Sequence, residues 1–304
     1  MTIIDIIDIA KIAALTLVAW ILPPRLWRKA ARATSSIGRD DRSGPAYQRN
    51  LSHKYSKADI AEIKRRRRAY LRELKFQILG LIGPWKVWHP RIHLTGTDHL
   101  ENALQAGHGA ILWVTDTVFS TLITKMAFHD AGYQVHQLSR PQHGFSMSCF
   151  GVRFLNPIWT GVEDRFLAGR VVIKGDTAGD ELRILSARMA KNEIVIIVVV
   201  PQAHKFIWVP FLRDLFPLPT GPIRLARTAG APLLPVFTVA KDDGGFEVSI
   251  HEPLCSAIAP VDDDAVAQAY AKHLETFVDA HPDQWSGWHW LKSREQPGAL
   301  KTVA

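Results

Sequence analysis

The chain has 304 residues, of which 37 are basic and 29 acidic, giving a net charge of +8. This length suffices for one large domain or two small ones, and the positive excess favours an anionic partner: nucleic acid, an anionic membrane surface or an acidic protein. The two cysteines, Cys149 and Cys255, show neither CxxC nor metal-type spacing, which predicts two reduced, buried thiols.

The N-terminal segment combines an apolar run with a basic end. Residues 12–22 are strongly apolar, but charged side chains precede them, so the run falls short of the roughly 20 residues that a membrane-spanning helix needs. Trp20 and Trp27, with four basic residues within 25–32, suit the headgroup region of a bilayer. We therefore expect an N-terminal helix lying on the membrane. A single span and a buried core helix are the alternatives.

A polar stretch and a basic helix follow. Residues 33–57 are rich in Ser, Arg and Gly and predict a loop, whereas residues 58–82 carry apolar side chains at helical spacing and predict one long helix. The basic run 64–68 within this helix is typical of a solvated face, and beside a membrane anchor it would add attraction to anionic lipid. It lacks interleaved aromatics, and no nucleic-acid motif accompanies it, so nucleic acid is not expected as a partner.

From His89 onward, short apolar strands alternate with helices. Residues 194–200 are the most apolar, and such a run predicts a central strand buried on both faces. The other predicted strands cover residues 91–95, 110–114, 133–138, 170–173, 206–211, 233–239 and 246–250. The predicted helices cover 98–106 (capped by Asp98), 120–130, 180–191, 221–228 (capped by Thr220) and 261–281. This alternation predicts an α/β fold with a mostly parallel central sheet flanked by helices.

Several short motifs occur in order from residue 96 onward. They are Gly96-Thr97-Asp98-His99-Leu100, Gly107-His108-Gly109-Ala110-Ile111-Leu112, Arg140-Pro141-Gln142, Arg165-Phe166 with Gly169-Arg170, Val209-Pro210-Phe211, Pro219-Thr220-Gly221-Pro222, Pro232-Leu233-Leu234-Pro235-Val236-Phe237, and His281-Pro282-Asp283-Gln284-Trp285 with Trp288-His289 and Lys292. Together they resemble the lipid A biosynthesis acyltransferase family. The resemblance runs from about residue 12 to residue 292.

This resemblance implies a glycerolipid-acyltransferase-like α/β fold that needs neither a cofactor nor a metal. It implies acyl carrier protein or acyl-CoA as the donor and a membrane-associated glycolipid or other lipid as the acceptor. It also implies a location on the cytoplasmic face of the inner membrane, with an anionic membrane surface as a partner. The expected organisation is a membrane-anchoring helix (1–32), a polar loop with the basic helix (33–88), an acyltransferase-like α/β domain (89–292) and a tail (293–304).

The chain departs from the family at the position that matters most for chemistry. Active members carry a histidine followed, after four residues, by Glu or Asp just beyond the second strand. There the imidazole acts as general base on the acceptor hydroxyl and the carboxylate orients it. In this chain Asp116 and Thr121 occupy the matching positions. His93 and Asp98 repeat the spacing one strand too early, which we interpret as coincidence.

Residues on two loops are the candidates to replace this pair. Asp116 follows a buried strand and His143 follows the Arg-Pro-Gln turn, so the two together would supply a base and its orienting partner. Asp116 alone is a poor base at neutral pH unless burial raises its pKa. His204, after the central strand, is a weaker candidate.

Arginines and one threonine are the candidates for binding substrate. Arg140, Arg165 and Arg170 are predicted to bind a phosphate, a pantetheine arm or an acidic carrier protein, and Thr220 is grouped with them. For Arg165 and Arg170, pairing with nearby acids such as Asp164 is the alternative. Two functions therefore stay open: an acyltransferase with an altered site, or a catalytically degenerate family member that serves as a lipid-binding or assembly subunit.

Overall fold

The computed structural model describes residues 2–36, 44–175, 178–201, 205–255 and 262–293. In these ranges the helices are α1 (Ile3–Ile21), α2 (Pro24–Ala33), α3 (Pro45–Ser52), α4 (Lys57–Leu81), α5 (Thr97–Gln105), α6 (Ile123–Asp130), α7 (Cys149–Phe154), α8 (Asn156–Glu163), α9 (Gly179–Met189), α10 (Gly221–Ala229) and α11 (Asp263–Ala280). The strands are β1 (Ile92–Thr95), β2 (Ala110–Thr115), β3 (Val135–Ser139), β4 (Gly169–Val172), β5 (Ile194–Val199), β6 (Phe206–Phe211), β7 (Asp214–Pro219), β8 (Leu233–Ala240), β9 (Phe246–Ile250) and β10 (Lys292–Ser293).

The central sheet has the strand order β1-β9-β8-β2-β5-β3-β4. β5 is the Ile/Val-rich strand, and it runs parallel to both β2 and β3. β2 is also parallel to β8, and β3 to β4, whereas β8 and β9 form an antiparallel pair. Helices and apolar side chains cover both faces of the sheet. The predicted α/β fold with a mostly parallel central sheet flanked by helices is therefore confirmed.

A second, antiparallel sheet lies outside the predicted alternation. β6 pairs with β7, and β7 pairs with β10. The prediction found β6 but not β7, because Pro217 and Pro219 within β7 lower the strand propensity of that segment. This small sheet packs on the central sheet through Phe211 and Phe216, which contact the ring of Trp285.

Several local predictions are wrong. Part of the predicted polar loop forms α3, which begins at Pro45. Gly96, with a φ of 72°, occupies the N-cap of α5 that was predicted for Asp98. Thr220 makes no capping hydrogen bond to α10, and its hydroxyl donates to the carbonyl of Lys205 at 3.4 Å. The two cysteines are free as predicted, but Cys149 is exposed and Cys255 is only partly buried, so the expected burial is wrong.

Much of helix α4 is buried in the interior of the protein. The prediction that its basic run forms a solvated face is therefore wrong for Arg67. The Arg67 side chain is fully buried, and its Nη1 donates to the carbonyl of Trp285 at 2.8 Å. Arg66 lies 2.6 Å from the carboxylate of Asp283, and Arg68 donates to the carbonyl of Ser35 at 2.7 Å. The run therefore binds both the N-terminal and the C-terminal segments to α4.

Helix α2 is tied to α4 by a buried ion pair and a buried tryptophan. The guanidinium of Arg28 donates to both carboxylate oxygens of Glu73, at 3.0 and 2.9 Å. Trp27 is 1% exposed and its indole donates to the carbonyl of Ala19 at 3.2 Å. The expectation that Trp27 faces lipid headgroups is therefore wrong, because this ring fills the core between α1, α2 and α4.

Helix α1 is docked along the body of the protein at both ends. Near its start, Asp5 accepts a hydrogen bond from Ser148 at 2.6 Å, and Asp8 accepts one from Ser146 at 3.0 Å. Near its end, the indole of Trp20 donates to a carbonyl at the end of α4 at 2.9 Å. Across the described ranges, no helix combines the length and the apolar character required to cross a membrane.

Replacing the buried Arg67 should destabilise the fold. Arg67→Ala leaves the Trp285 carbonyl without its charged donor and opens a cavity, so we expect the free energy of unfolding to fall by about 3 kcal/mol. Arg65 is the matched control, because it lies two residues away, is half exposed and pairs with Glu62. Arg65→Ala should cost less than about 1 kcal/mol. Urea denaturation of the three proteins measures both changes; equal losses would contradict a structural role for Arg67.

Candidate functional site

The carboxyl ends of the parallel strands β2, β5, β3 and β4 lie along one edge of the central sheet. Asp116 follows β2, and Arg140 follows β3. Because β5 lies between these two strands, and neighbouring strands are about 4.8 Å apart, the two positions are separated by about 10 Å across the sheet. Two polar centres lie near this edge, one at the end of β2 and one beside β3 and β4.

The end of β2 is closed by its own hydrogen bonds. The buried hydroxyls of Thr115 and Tyr270 are 2.6 Å apart, and Thr117 donates to the carbonyl of Thr238 at 3.0 Å. Burial raises the pKa of the Tyr270 phenol, and the Asp116 carboxylate adds to that rise. Asp116 thus lies close to a neutral phenol, in a half-buried position.

Residues 281–292, which we call the C-terminal signature segment, cover the same end of β2. The backbone N–H of Ser286 donates to the carbonyl of Asp116 at 2.9 Å, and that of Val118 donates to the carbonyl of Gln284, also at 2.9 Å. Thr117 and Trp285 form an isolated antiparallel bridge. These contacts fix the backbone around Asp116.

The second centre is built around Glu163, whose side chain is fully buried. Lys125 Nζ lies 2.6 Å from one carboxylate oxygen, and Arg170 Nη2 lies 2.8 Å from the same oxygen. The other oxygen accepts a hydrogen bond from the indole of Trp159 at 2.7 Å. His143 Nε2 lies 2.9 and 3.0 Å from the two oxygens. We call Lys125, His143, Glu163 and Arg170 the Glu163 cluster.

Four elements bring the Glu163 cluster together. Lys125 is on α6, His143 is in the loop after β3, Glu163 ends α8, and Arg170 is on β4. Arg170 additionally contacts Asp164 at 2.6 Å and donates to the hydroxyl of a serine at the end of β3. The cluster thus lies beside β3 and β4, with His143 beyond the carboxyl end of β3 and Arg170 reaching the serine at that end.

The cations of the cluster control its protonation states. Burial penalises the ionised form of Glu163, but Lys125, His143 and Arg170 outweigh this penalty and hold its pKa well below the usual value. Burial also lowers the pKa of Lys125 to about 8. Near neutral pH the carboxylate of Glu163 is therefore ionised and accepts hydrogen bonds.

The imidazole of His143 is the part of this cluster that reaches the surface. Its side chain is 23% exposed, whereas Glu163 is inaccessible. Because an ionised carboxylate only accepts hydrogen bonds, Nε2 carries a proton, and in the neutral ring Nδ1 is the acceptor. Among the described residues, none hydrogen-bonds to Nδ1. A histidine held in one tautomer by a carboxylate has the arrangement of a general base.

The structure places His143 against Glu163 instead of the predicted partner Asp116. A pairing of Asp116 with His143 is thus not formed, although a catalytic role for either residue stays a prediction. Sequence reasoning missed Lys125 and Glu163. Lys125 gave one usable signal, since it is a lone cation within an apolar helix. Glu163 gave none, because its partners lie on separate elements.

The three arginines predicted to bind substrate lie in different surroundings and make different contacts. Arg170 belongs to the Glu163 cluster and also pairs with Asp164, which was the alternative interpretation. Arg165 donates to the carbonyls of Leu81 and Lys86, at 3.0 and 2.6 Å, and so supports the end of α4. The carbonyl of Arg140 accepts a hydrogen bond from the backbone N–H of His143 at 3.1 Å. Ligand binding by these arginines stays a prediction.

Two further residues predicted from the sequence are Thr220, for substrate binding, and His204, as a weaker catalytic candidate. Thr220 is buried beside Lys205, in the segment that leads into α10, and its role in substrate binding stays a prediction. His204 lies outside the described residues. Within the described ranges, no grouping of three His, Cys, Asp or Glu side chains is placed to hold a metal ion.

Comparison with known proteins gives one family. The model of the family described as bacterial lipid A biosynthesis acyltransferase matches residues 6–295. A comparison with curated proteins gives no match. The matched range includes Asp116, the Glu163 cluster and the C-terminal signature segment.

Removing the charge of Glu163 should destabilise the protein in a pH-dependent way. Glu163→Gln leaves the buried Lys125 without the carboxylate it pairs with and leaves Arg170 with Asp164 alone, so we expect a loss of about 3–5 kcal/mol at pH 7. Unfolded Glu163 binds a proton below about pH 4.5, whereas the folded carboxylate resists protonation. The contribution of the Glu163 carboxylate to the free energy of unfolding is therefore lost as pH falls below about 4.5. The difference in this free energy between the wild type and Glu163→Gln should shrink over the same range.

Urea denaturation between pH 3.5 and 7 measures this trend. Glu62→Gln is the matched control, since Glu62 is a half-exposed carboxylate paired with Arg65, and it should change stability by less than about 1 kcal/mol. A difference between wild type and Glu163→Gln that stays constant with pH would contradict an ionised, paired Glu163.

Proposed function

The chain belongs to the bacterial lipid A biosynthesis acyltransferase family, and we propose that it transfers a fatty acyl group from an acyl thioester to a membrane-associated lipid acceptor. Family membership supports acyl transfer as the reaction class. The observation that carries the proposal is the His143–Glu163 pair, a surface-reaching imidazole hydrogen-bonded to a buried carboxylate at the edge of the sheet. The pair supplies the two chemical groups, an imidazole and a carboxylate that orients it, which this chain lacks at the family's usual position.

In this proposal His143 is the general base and Glu163 orients it. Nδ1 of His143 accepts the proton of the acceptor hydroxyl or amine as that group attacks the thioester carbonyl. The tetrahedral intermediate collapses with cleavage of the carbon–sulfur bond, and the proton passes from His143 to the departing thiolate. An ester or amide bond forms, a thiol leaves, and no covalent enzyme intermediate is needed.

Asp116 and the arginines position the reactants in this scheme. Asp116, fixed at the end of β2, accepts a hydrogen bond from the acceptor. Arg140 and Arg170 flank His143 and offer positive charge to the phosphate of acyl-CoA or to the acidic surface of an acyl carrier protein. The net charge of +8 suits either donor. A glycolipid is the proposed acceptor.

We propose further that the protein rests on the cytoplasmic face of the inner membrane through α1. One set of large apolar side chains on this helix is solvent-exposed, namely Ile3, Ile4, Ile6, Ile7, Ile9, Leu17, Val18, Trp20 and Ile21. The docking of α1 places Met147, which lies between Ser146 and Ser148, beside the start of this surface. It also places Ile82 beside Trp20. So large an exposed apolar surface indicates a membrane or protein contact.

A second candidate function is supported by the closed end of β2. Thr115, Thr117 and Ser120 are buried and hydrogen-bonded within the protein, at the strand end where the family's histidine should open to substrate. A catalytically degenerate subunit that binds lipid or assembles with other proteins accounts for this closure. It would bind acyl ligands without releasing thiol.

Replacing His143 tests the proposed base. We expect His143→Gln to lower kcat by about 100-fold or more, because general-base catalysis contributes that much. Thiol release from acyl-CoA and from acyl carrier protein, measured with and without lipid acceptor, reports turnover. Asp116→Ala should instead raise the KM for the acceptor. His129→Gln is the matched control, since His129 is half exposed on α6 and lies outside the cluster.

The outcomes separate the two functions. Unchanged kcat in His143→Gln, with acceptor-dependent turnover in the wild type, would reject His143 as the base while leaving acyl transfer intact. Saturable binding of an acyl ligand by the wild type, with no acceptor-dependent thiol release from either donor, would favour the binding subunit.

Polar substitutions on α1 test the membrane proposal. Removing residues 1–32 would also remove the buried Trp27, so point variants are the cleaner experiment. Ile4→Ser with Ile21→Ser should lower partition into anionic liposomes by about 100-fold, because each buried Ile contributes at least about 1.5 kcal/mol. Ile184→Ser on α9 is the control, since Ile184 is 48% exposed. Equal flotation of all three proteins would count against a membrane-bound α1.

A further inference from the structure

A cavity of about 240 Å³ lies between the end of α3, the β6–β7 hairpin and the C-terminal segment. Its walls include His53, Lys54, Arg213, Asp214 and Trp288. At roughly 30 Å³ per water molecule, the volume corresponds to about eight waters. The cavity therefore admits a small polar group, and none of its lining residues was singled out as a candidate binding residue from the sequence.

A histidine–aspartate pair forms one wall of this cavity. His53 Nδ1 lies 3.2 Å from Asp214 Oδ2, and the side chains are 34% and 4% exposed. The buried carboxylate accepts from Nδ1, which leaves Nε2 as the outer ring nitrogen. Nε2 can accept from a phosphate hydroxyl or, when protonated, donate to a phosphate oxygen.

The β6–β7 hairpin presents Arg213 to the cavity at a conformational cost. The two-residue turn is Leu212-Arg213, and Leu212 has a φ of 53°, although such turns favour Asn-Gly. The backbone N–H of Leu212 donates to the carboxylate of Glu275 on α11 at 2.5 Å, and the Leu212 side chain packs against the core. A strained turn held from two sides fixes the position of the residue that follows it.

The charges around the cavity favour an anion. Lys54 and Arg213 supply two cations, and Lys54 pairs at the rim with the half-exposed Asp279. Asp214 is the one acid in the cavity wall, and the imidazole of His53 contacts it directly. The ring of Trp288 supplies an apolar wall. Lys54 follows α3 and Arg213 lies in the β6–β7 turn, so donors from two separate elements border the cavity and suit a tetrahedral anion, whose oxygens point in different directions.

We propose that this cavity binds the phosphate group of a small phosphate ester, with Arg213, Lys54 and His53 as its ligands. The inference goes beyond acyl transfer and does not depend on it. Asp214 acts through His53 by orienting the ring. The phosphate ester would belong to either a soluble metabolite or a lipid headgroup, which present the same chemistry to these side chains.

Titration of the full-length protein with inorganic phosphate tests the site. We expect saturable binding by calorimetry, together with a shift of the His53 ring signal in the proton NMR spectrum, assigned with His53→Gln. Arg213→Ala should weaken binding about tenfold, as loss of a charge-assisted hydrogen bond predicts. Arg183→Ala is the control, since Arg183 is 85% exposed on α9 and pairs with Asp180.

The outcomes decide the proposal. Arg213 is exposed, so its replacement should leave the thermal midpoint unchanged and a folding defect cannot account for lost binding. Phosphate affinity in Arg213→Ala equal to that of wild type, or an unmoved His53 signal, would overturn the site. Titrations with glycerol 3-phosphate and with monomeric dihexanoyl phosphatidic acid identify the source. Tighter binding of the first supports a soluble ester, and tighter binding of the second a lipid headgroup. None of these results depends on acyl-transfer activity.

Discussion

The buried guanidinium of Arg67 is the constraint on which the arrangement of the sheet edge depends. It binds the carbonyl of Trp285 and approaches the hydroxyl of Ser286. From this anchored segment, the side-chain amide of Gln284 satisfies both the N–H and the carbonyl of Ala240 at the end of β8. Ser286 in turn holds the backbone after β2. One charge on α4 thereby positions the chain at the carboxyl ends of two central strands.

The two polar centres at this edge differ in burial and in charge. At the end of β2 the polar side chains hydrogen-bond to one another and are buried, whereas beyond β3 the Glu163 cluster keeps charge and reaches solvent through His143. Burying the Glu163 carboxylate together with the Lys125 ammonium costs several kcal/mol in desolvation for each ion. Two apolar side chains in the same places would avoid this cost. Clusters of this kind concentrate at functional sites. If His143 is the base, as proposed, the reactive part of the edge is the β3 end.

The central sheet was predictable because its signals are local and strong. Continuous Ile/Val runs and regular alternation identified β2, β5 and β8 within a residue or two, and the order of short motifs identified the family. Strand β7 was missed because its two prolines are atypical of a strand that pairs with a neighbour on both sides. Trp27 and Arg67 were misread for a related reason: tryptophans beside basic residues and runs of arginine are usually surface features, and only tertiary packing reveals that these two are buried.

The candidate site was predictable only in part. His143 and Arg170 stood out because they follow or enter strands of a parallel sheet. Their shared partner Glu163 did not, since the contact joins residues brought together by four elements. The His53–Asp214 pair has the same character, because its members are 161 positions apart in the sequence. Pairs that depend on such distant contacts leave no spacing pattern in the sequence.

The separation between Arg67 and Trp285 has a consequence for how the chain is made. The hydrogen bond between them spans 218 residues, so α4 emerges from the ribosome long before its partner has been translated. Until then the guanidinium stays hydrated, and the end of β2 has no cover. During that interval the apolar surface of α1, already translated, can meet a chaperone or a bilayer. The end of β2 is therefore covered only after the segment around Trp285 has been made.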